Sequence, residues 1–389
     1  MLLIEIQCKG WEHNRVNAGI IELCHRTFPN ERIKLYAETE HIANICELTS
    51  GLDNYLYTKE IYFGDWRNDC FIYRDKYEEV LERVIKDEKE EKNIIILSCN
   101  KGIIEAATNI SKKYNNKSFF IVLHAALEEV VSVYHFGIRE RLYHIFSFIK
   151  SVLYGKKIDH IPSMKDCINR CRTTNSNFIL FAPRYREYLK TKIREGILER
   201  FVFINHPLYD SKENIRYDNN EIVIGIYGQA VNKNAYDIIS CYNSKYDTGR
   251  VRFMVMAKED DEILKLRNVV RLFEKDFVSN EDLVKARQGF DYVMIPYDHN
   301  QYKVTASGIL CDALSEEIPV LMLDSPLLDY YNQYGIGVLE KSIEEMADRI
   351  ARLSLNNDCS QRFIEAEHRL KETVTQENCD IFRRMIGSA

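Results

Sequence analysis

The sequence predicts an α/β protein built from two Rossmann-like, doubly wound domains, and three observations predict it. Short β-rich runs alternate with helical stretches along the chain, an alternation that gives parallel sheets with helices on both faces. Several of the runs are near-continuously apolar, as strands buried on both faces must be. The chain has 389 residues, too many for one ordinary core, and a polar stretch without apolar periodicity interrupts it at 208–220.

Strands are expected at Leu2–Gln7, Ile33–Ala37, Ile94–Ser98, Phe119–Leu123, Phe178–Phe181 and Phe201–Ile204 in the first half. The second half adds Ile222–Tyr227, Val251–Met256, Asp291–Ile295 and Pro319–Leu323. Helical patterns fall between them, for example Tyr77–Glu91 and Gly102–Lys113. The organisation is an N-terminal domain at 1–207, a linker at 208–220, a C-terminal domain at 221–355 and closing charged helices at 356–389.

Composition narrows the function classes. The net charge of −6 removes any global attraction to nucleic acid. No run reaches the roughly 18 apolar residues that a membrane span needs, and the N-terminus lacks the basic start and cleavage site of a secretion signal. The eleven cysteines are scattered, with Cys167 and Cys171 the closest pair. That pattern points to reduced thiols in a cytoplasm and against a disulfide framework or a metal site.

The informative residues of the second half sit where strands should end. Ile222–Tyr227 runs into Gly228, which permits a tight turn, and Lys233 stands at the start of the next helix. Asp291–Ile295 runs into a loop carrying Tyr302 and Thr305, after which Ser307-Gly308 opens a helix. Unpaired amides and the dipole at a helix N-terminus favour a phosphate, and glycine permits its close approach. Taken singly, Ser307 reads equally as a helix cap, Lys233 as a solvated charge and Asp312 as dipole compensation.

The string SGILCDALSEEIPVLMLDSPLLDYYNQYGIGVL, beginning at Ser307, resembles the signature of GT-B-fold glycosyltransferases near the family-4-like group. The small-residue helix opening, the step from Ala313 to Pro319-Val320 and the later Gly335 and Gly337 carry the likeness. GIYGQAVNKN around Gly228 and the loop at Phe277-Val278 add to it. The resemblance implies a GT-B fold, with the two domains facing each other across a cleft and the C-terminal helices crossing back to the N-terminal domain. It implies that Ser307 and Gly308 hold the donor diphosphate, with Gly228, Tyr302 and Thr305 alongside, and that Lys233 neutralises its charge. Phe277 and Val278 would receive the base, and Asp312 the ribose. Two positions depart from the pattern: Val304 stands where the first glutamate is usual, and Gln229-Ala230 where an arginine is.

In this fold the N-terminal domain holds the acceptor. The first strand–helix loop carries His13, Asn14, Arg15, Asn17 and Gly19, a mixture that reads as a binding loop or as a polar surface turn. His124 follows the strand Phe119–Leu123 and is the first candidate for a base toward an acceptor hydroxyl, packing at an interface being the alternative. His206, before Pro207, is a further contact candidate or a backbone-satisfying side chain. The segment 138–157 has apolar residues at helical spacing. Its five cations, Arg139, Arg141, Lys150, Lys156 and Lys157, against the single Glu140 leave +4. A helix of this kind lies on an anionic membrane surface or simply covers a sheet.

The expectation is thus a metal-independent glycosyltransferase with no cofactor beyond its UDP- or GDP-linked donor. It would be cytoplasmic or peripheral on the membrane's inner face, and would act on a saccharide; the resemblance alone implies a lipid-linked acceptor in bacterial cell-surface polysaccharide or glycan assembly. The alternatives are a nucleotide-sugar 2-epimerase and a non-catalytic sugar-nucleotide-binding subunit.

Overall fold

The computed structural model describes residues 1–49, 51–61, 73–124, 127, 130, 162–209, 221–246, 249–274, 278, 280–297, 303–353 and 358–387. The chain divides into two compact units. The first comprises Met1–Asn205, Lys303–Ala306 and Asn378–Ala389; the second comprises His206–Tyr302 and Ser307–Glu377.

The first unit is a seven-stranded, all-parallel sheet ordered β3-β2-β1-β4-β5-β6-β7. Its strands are β1 (Leu2–Ile4), β2 (Ile33–Ala37), β3 (Leu56–Glu60), β4 (Asn93–Ile96), β5 (Ser118–Val122), β6 (Ser176–Phe181) and β7 (Phe201–Ile204). The apolar runs sit in the middle of the sheet because helices cover both faces. Leu3, Leu35, Ile95, Phe120 and Ile179 form one side of the core, beneath Ile20, Ile21 and Cys24 of α1 (Asn14–Thr27). The helices Arg74–Asp87 and Lys101–Lys113 pack together, and the second also meets β5 and β6.

The second unit is a six-stranded parallel sheet ordered β10-β9-β8-β11-β12-β13. It comprises β8 (Ile222–Ile226), β9 (Val251–Val255), β10 (Val269–Arg271), β11 (Tyr292–Ile295), β12 (Val320–Leu323) and β13 (Gly337–Glu340). Gly225 in β8 leaves room for Phe290: a Cβ there would lie 2.2 Å from the ring.

Both sheets share one winding. The first strand lies in the middle, the second and third build outward on one side, and the fourth starts again on the other. Where the winding reverses, the loops that follow the first and fourth strands diverge and leave a crevice at their carboxyl ends. In the first unit that point lies between β1 and β4, and in the second between β8 and β11.

The closing segment, expected as two helices, is one helix of 30 residues, Asp358–Gly387. Its part up to Glu377 belongs to the second unit and its end to the first. There Cys379, Phe382 and Ile386 join the core under β1 and β4. The Asn378 carboxamide accepts from the Asn205 amide at 2.9 Å and donates to the Asn205 carbonyl at 3.0 Å, acting as a strand partner at the end of β7.

Three edge strands, β3, β10 and β13, were absent from the sequence expectation. The strands expected at Leu2–Gln7 and Ile94–Ser98 end earlier, at Ile4 and Ile96, and just beyond those ends Ser98 donates to Glu5. The expected linker begins with two buried residues, Leu208 and Tyr209, and 210–220 lie outside the described residues. Among the described residues no helix is long and apolar enough to cross a membrane. The nine cysteines whose side chains are described are free thiols; burial pushes that of Cys24 up to about 12.

Candidate functional site

In the second unit, β8 continues through Tyr227 to Gly228, whose φ of 55° a residue with a side chain rarely adopts. That turn brings the chain to Asn232, which caps the helix Lys233–Lys245 by accepting from the Ala235 amide at 3.1 Å. The carboxamide nitrogens of Asn232 and Asn234 both donate to the Pro296 carbonyl at 3.2 Å. These two bonds tie the start of the helix to the end of β11.

Beyond Pro296, Tyr297 is buried and shares a 2.7 Å hydrogen bond with the Ser307 hydroxyl. The same hydroxyl accepts from the Leu310 amide at 3.1 Å and so caps the helix Gly308–Ser315. Ser307 is 2% exposed, so its hydroxyl is spent inside the protein. The open position is Gly308, where an added Cβ would meet nothing within 4 Å. The amides of Gly308 and Ile309 fall in the first turn, where a helix has no internal partner to offer. An anion approaching here meets backbone donors and the positive end of a dipole.

Asp312 stands one turn further on, and its carboxylate meets Arg287 inside the unit. Arg287, fully buried on the helix Asn280–Gln288, donates to Asp312 at 3.3 Å and through Nε to Glu316 at 2.6 Å. A further guanidinium nitrogen also donates to Glu316. Tyr209 adds a 2.9 Å bond to Glu316, and the guanidinium lies over the Tyr227 ring at 5.7 Å. Burial works against the charge on Arg287, but Asp312 and Glu316 outweigh it and hold its pKa well above the ordinary value.

Lys233 is turned to solvent in this arrangement. Its side chain is 85% exposed and pairs with Asp237, one turn along its own helix, at 2.5 Å. It borders a pocket of about 420 Å³ with Asn232, Tyr236, Asp261 and Ile263. Thr305, expected with the donor set, falls in the first unit, where its carbonyl accepts from Tyr185 at 2.8 Å. Val278 is half-buried. Phe277, Tyr302 and all five cations of the expected amphipathic helix (Arg139, Arg141, Lys150, Lys156 and Lys157) lie outside the described residues.

In the first unit, the crevice between β1 and β4 is built around Glu5, which is 0% exposed. One carboxylate oxygen accepts from the amides of Gln7 at 2.8 Å and Cys8 at 2.9 Å and from the Ser98 hydroxyl at 2.5 Å. The other accepts from the Asn17 carboxamide at 3.0 Å. The second hydrogen of that nitrogen points to Nε2 of His41 at 3.0 Å. His41 Nδ1 lies 2.8 Å from the Gly10 carbonyl, which can only accept, so Nδ1 donates there and Nε2 faces the Asn17 donor.

This network fixes the start of α1. His13 precedes the helix at φ 52°, a left-handed conformation. Its ring packs against that of His124 with centroids 4.7 Å apart. His124 donates from Nε2 to the Leu97 carbonyl at 3.0 Å and meets Phe181 edge-on. His13 keeps an open face although protein surrounds it on most sides. That desolvation, the largest effect, lowers its pKa, while Glu5 and Glu12 pull the other way. Asn14 and Asn17 lie on the same side of the helix, and one polar atom of each, Nδ2 and Oδ1, is buried without a hydrogen-bond partner. Arg15 is half-buried and Gly19 is packed inside α1.

His206, expected beside these groups, belongs to the second unit. It is buried there with Nδ1 3.0 Å from the Pro207 carbonyl. The expectation missed Glu5, His41, Ser98 and Arg287. Glu5 had a signal, since a carboxylate inside an apolar N-terminal strand needs buried partners.

No family model matches the sequence, and no curated protein matches it. Solved structures do. HepE of Anabaena, determined with UDP, aligns over 100% of this chain and 98% of its own at TM-score 0.58 and 12% identity. The UDP-GlcNAc 2-epimerase of Neisseria meningitidis, bound to UDP-GlcNAc, aligns over 100% of both chains at TM-score 0.56 and 12% identity. S. aureus TarM, in complex with fondaparinux, alpha-GlcNAc-glycerol and UDP, covers 79% of this chain and 58% of its own at TM-score 0.53 and 17% identity. With two parallel Rossmann-like sheets and a closing helix that returns to the first unit, this chain has the GT-B fold.

Proposed function

We propose that the protein is a glycosyltransferase that moves a sugar from a UDP- or GDP-linked donor to a hydroxyl of a saccharide acceptor. The observation that carries this reading is the opening at Gly308, an accessible helix start at the winding reversal of the second unit. The UDP complexes of HepE and TarM support the donor class.

In the proposed reaction the donor diphosphate rests on the Gly308 and Ile309 amides, with Lys233 supplying a cation once it leaves Asp237. The acceptor hydroxyl gives its proton to an imidazole of the first unit as its oxygen bonds to the anomeric carbon. The bond from that carbon to the diphosphate oxygen breaks, and the oxygen keeps the electron pair. The proton acceptor we favour is His13 rather than His124. His13 has an open face and a lowered pKa, so it is neutral near pH 7. His124 already donates to Leu97 and serves to hold the His13 ring.

We extend the reading to a metal-independent enzyme acting on lipid-linked saccharides in bacterial cell-surface glycan assembly, peripheral on the inner face of the membrane. The basic segment 138–157 of the sequence supports this. Changing Lys150, Lys156 and Lys157 together to Glu should then abolish pelleting with anionic liposomes, and turnover should survive EDTA. Pelleting unchanged by the substitutions removes the membrane reading, and loss of turnover in EDTA removes metal independence.

The direct test of the central reading is a thermal-shift screen of nucleoside diphosphates. A ligand of the native state raises the midpoint, by about 2.7 kcal/mol of stabilisation at a hundredfold excess over Kd. No shift with any of them overturns the proposal.

One observation favours a second reading, a nucleotide-sugar 2-epimerase. The crevice of the first unit gathers Glu5, His13, His41 and His124 more densely than the sequence suggested, and an epimerase shares the fold. Incubating donors without acceptor separates the two: an epimerised donor supports the second reading, and release of nucleoside diphosphate supports transfer.

A further inference from the structure

Trp11 is one of four large hydrophobic side chains exposed among the described residues, at 41%. An exposed aromatic is ordinary in itself. Its setting is not. Trp11 stands at the corner of a tight turn in which the Glu12 amide donates to the Lys9 carbonyl at 3.1 Å. Gly10, just before it, has φ 52°.

Each side of the turn is tied down. The Gly10 amide donates to Glu38 at 3.2 Å, and the Gly10 carbonyl accepts from His41 Nδ1. The Glu38 carboxylate also caps the next helix, accepting from the amides of Glu40 at 3.1 Å and His41 at 2.9 Å. The Lys9 amide closes back on Glu12 at 3.2 Å. Two residues beyond Trp11 the chain reaches His13 and the winding reversal of the sheet. The protein thus spends a buried imidazole and a carboxylate on fixing the turn that carries this exposed indole in the loop after β1. Ordering it in advance lowers the entropy lost when a ligand covers it.

We propose that Trp11 is the stacking platform for a pyranose ring of the acceptor. The ligand class follows from the surface: a flat indole matches the face of a sugar whose C–H groups point one way. His13, two residues on, then reaches the hydroxyls at the ring's edge. His41 and Glu38 are positioning residues for this platform. The assignment rests on the reading of the first unit as the acceptor-binding half.

The test uses fluorine NMR of the full chain labelled with fluorotryptophan. The chain has two tryptophans, Trp11 and Trp66, and Trp11→Phe assigns the signals. Cellobiose, lactose and chitobiose are the probes, with UDP stabilisation measured separately on the same protein. At least one disaccharide should shift the Trp11 signal to saturation. By calorimetry, which does not need the Trp11 signal, Trp11→Ala should bind it about tenfold more weakly, Trp11→Phe should restore most of the affinity, and UDP stabilisation should stay unchanged in both. If UDP stabilises the protein but no disaccharide moves the Trp11 signal, the platform is refuted. Equal disaccharide affinity in Trp11→Ala refutes it too. If a disaccharide moves the signal while no nucleotide binds, the platform stands and the transferase reading falls.

Discussion

Arg287→Met should be among the most damaging single changes in the second unit. The guanidinium is 0% exposed and donates to two carboxylates that are themselves buried, Asp312 at 7% and Glu316 at 3%. Removing it takes from two buried carboxylates the guanidinium they share in a low-dielectric setting. Loss of one partner from such a group costs about 3–5 kcal/mol. With a urea slope of about 2 kcal/mol/M, the midpoint of the second unit should fall by about 1.5–2.5 M. Far-UV circular dichroism follows both units, whereas both tryptophans lie in the N-terminal half of the sequence. The dichroism transition should therefore move or split while the tryptophan fluorescence transition stays in place. Adding Asp312→Asn and Glu316→Gln removes the two carboxylates and should recover part of the loss. A dichroism midpoint that moves by less than about 0.5 M would refute the reasoning. Failure of the triple variant to recover would assign the loss to packing rather than to charge.

Gly308→Val should leave the melting midpoint nearly unchanged, because a Cβ there meets nothing within 4 Å. It should weaken UDP binding at least about tenfold by blocking close approach to the helix start; calorimetry checks this, and unchanged affinity removes Gly308 from the site. Gly225→Ala should cost about 1–3 kcal/mol through the collision with Phe290, and an unaltered urea midpoint would contradict the packing. His13 has a pKa below the ordinary imidazole value of about 6.5 in the folded state. Below that value the unfolded chain binds more protons, so the stability His13 contributes is present above about pH 6.5 and is lost as pH falls toward the lowered folded value. Comparing wild type with His13→Asn, which tolerates the left-handed backbone, should show their stability difference changing in wild type's disfavour on acidification. A constant difference from pH 7.5 to 5 would argue against a desolvated imidazole.

The central strands were legible because they are buried on both faces, and burial writes apolar runs into the sequence. Those of β2 and β7 were placed to the residue. The three strands that escaped are all at sheet edges. Leu56–Glu60, Val269–Arg271 and Gly337–Glu340 are half-exposed, so their residues need not be apolar, and pairing on one side alone defines them. The single closing helix was read as two because its polar middle carries no strong apolar stripe.

The same division holds for the candidate site. Sequence by itself determined the strand–helix alternation of both units, the glycine turn at Gly228, the helix opening at Ser307-Gly308 and the position of His124 at a strand's end. These are local matters of periodicity, backbone freedom and capping. Which polar groups meet is decided by contacts across tens or hundreds of residues. Glu5 meets Ser98, Asn17 meets His41, His13 meets His124, and Arg287 claims Asp312. Only the folded sheet, by bringing strand ends together at its winding reversal, turns the first set of residues into a site and directs the Asp312 carboxylate inward.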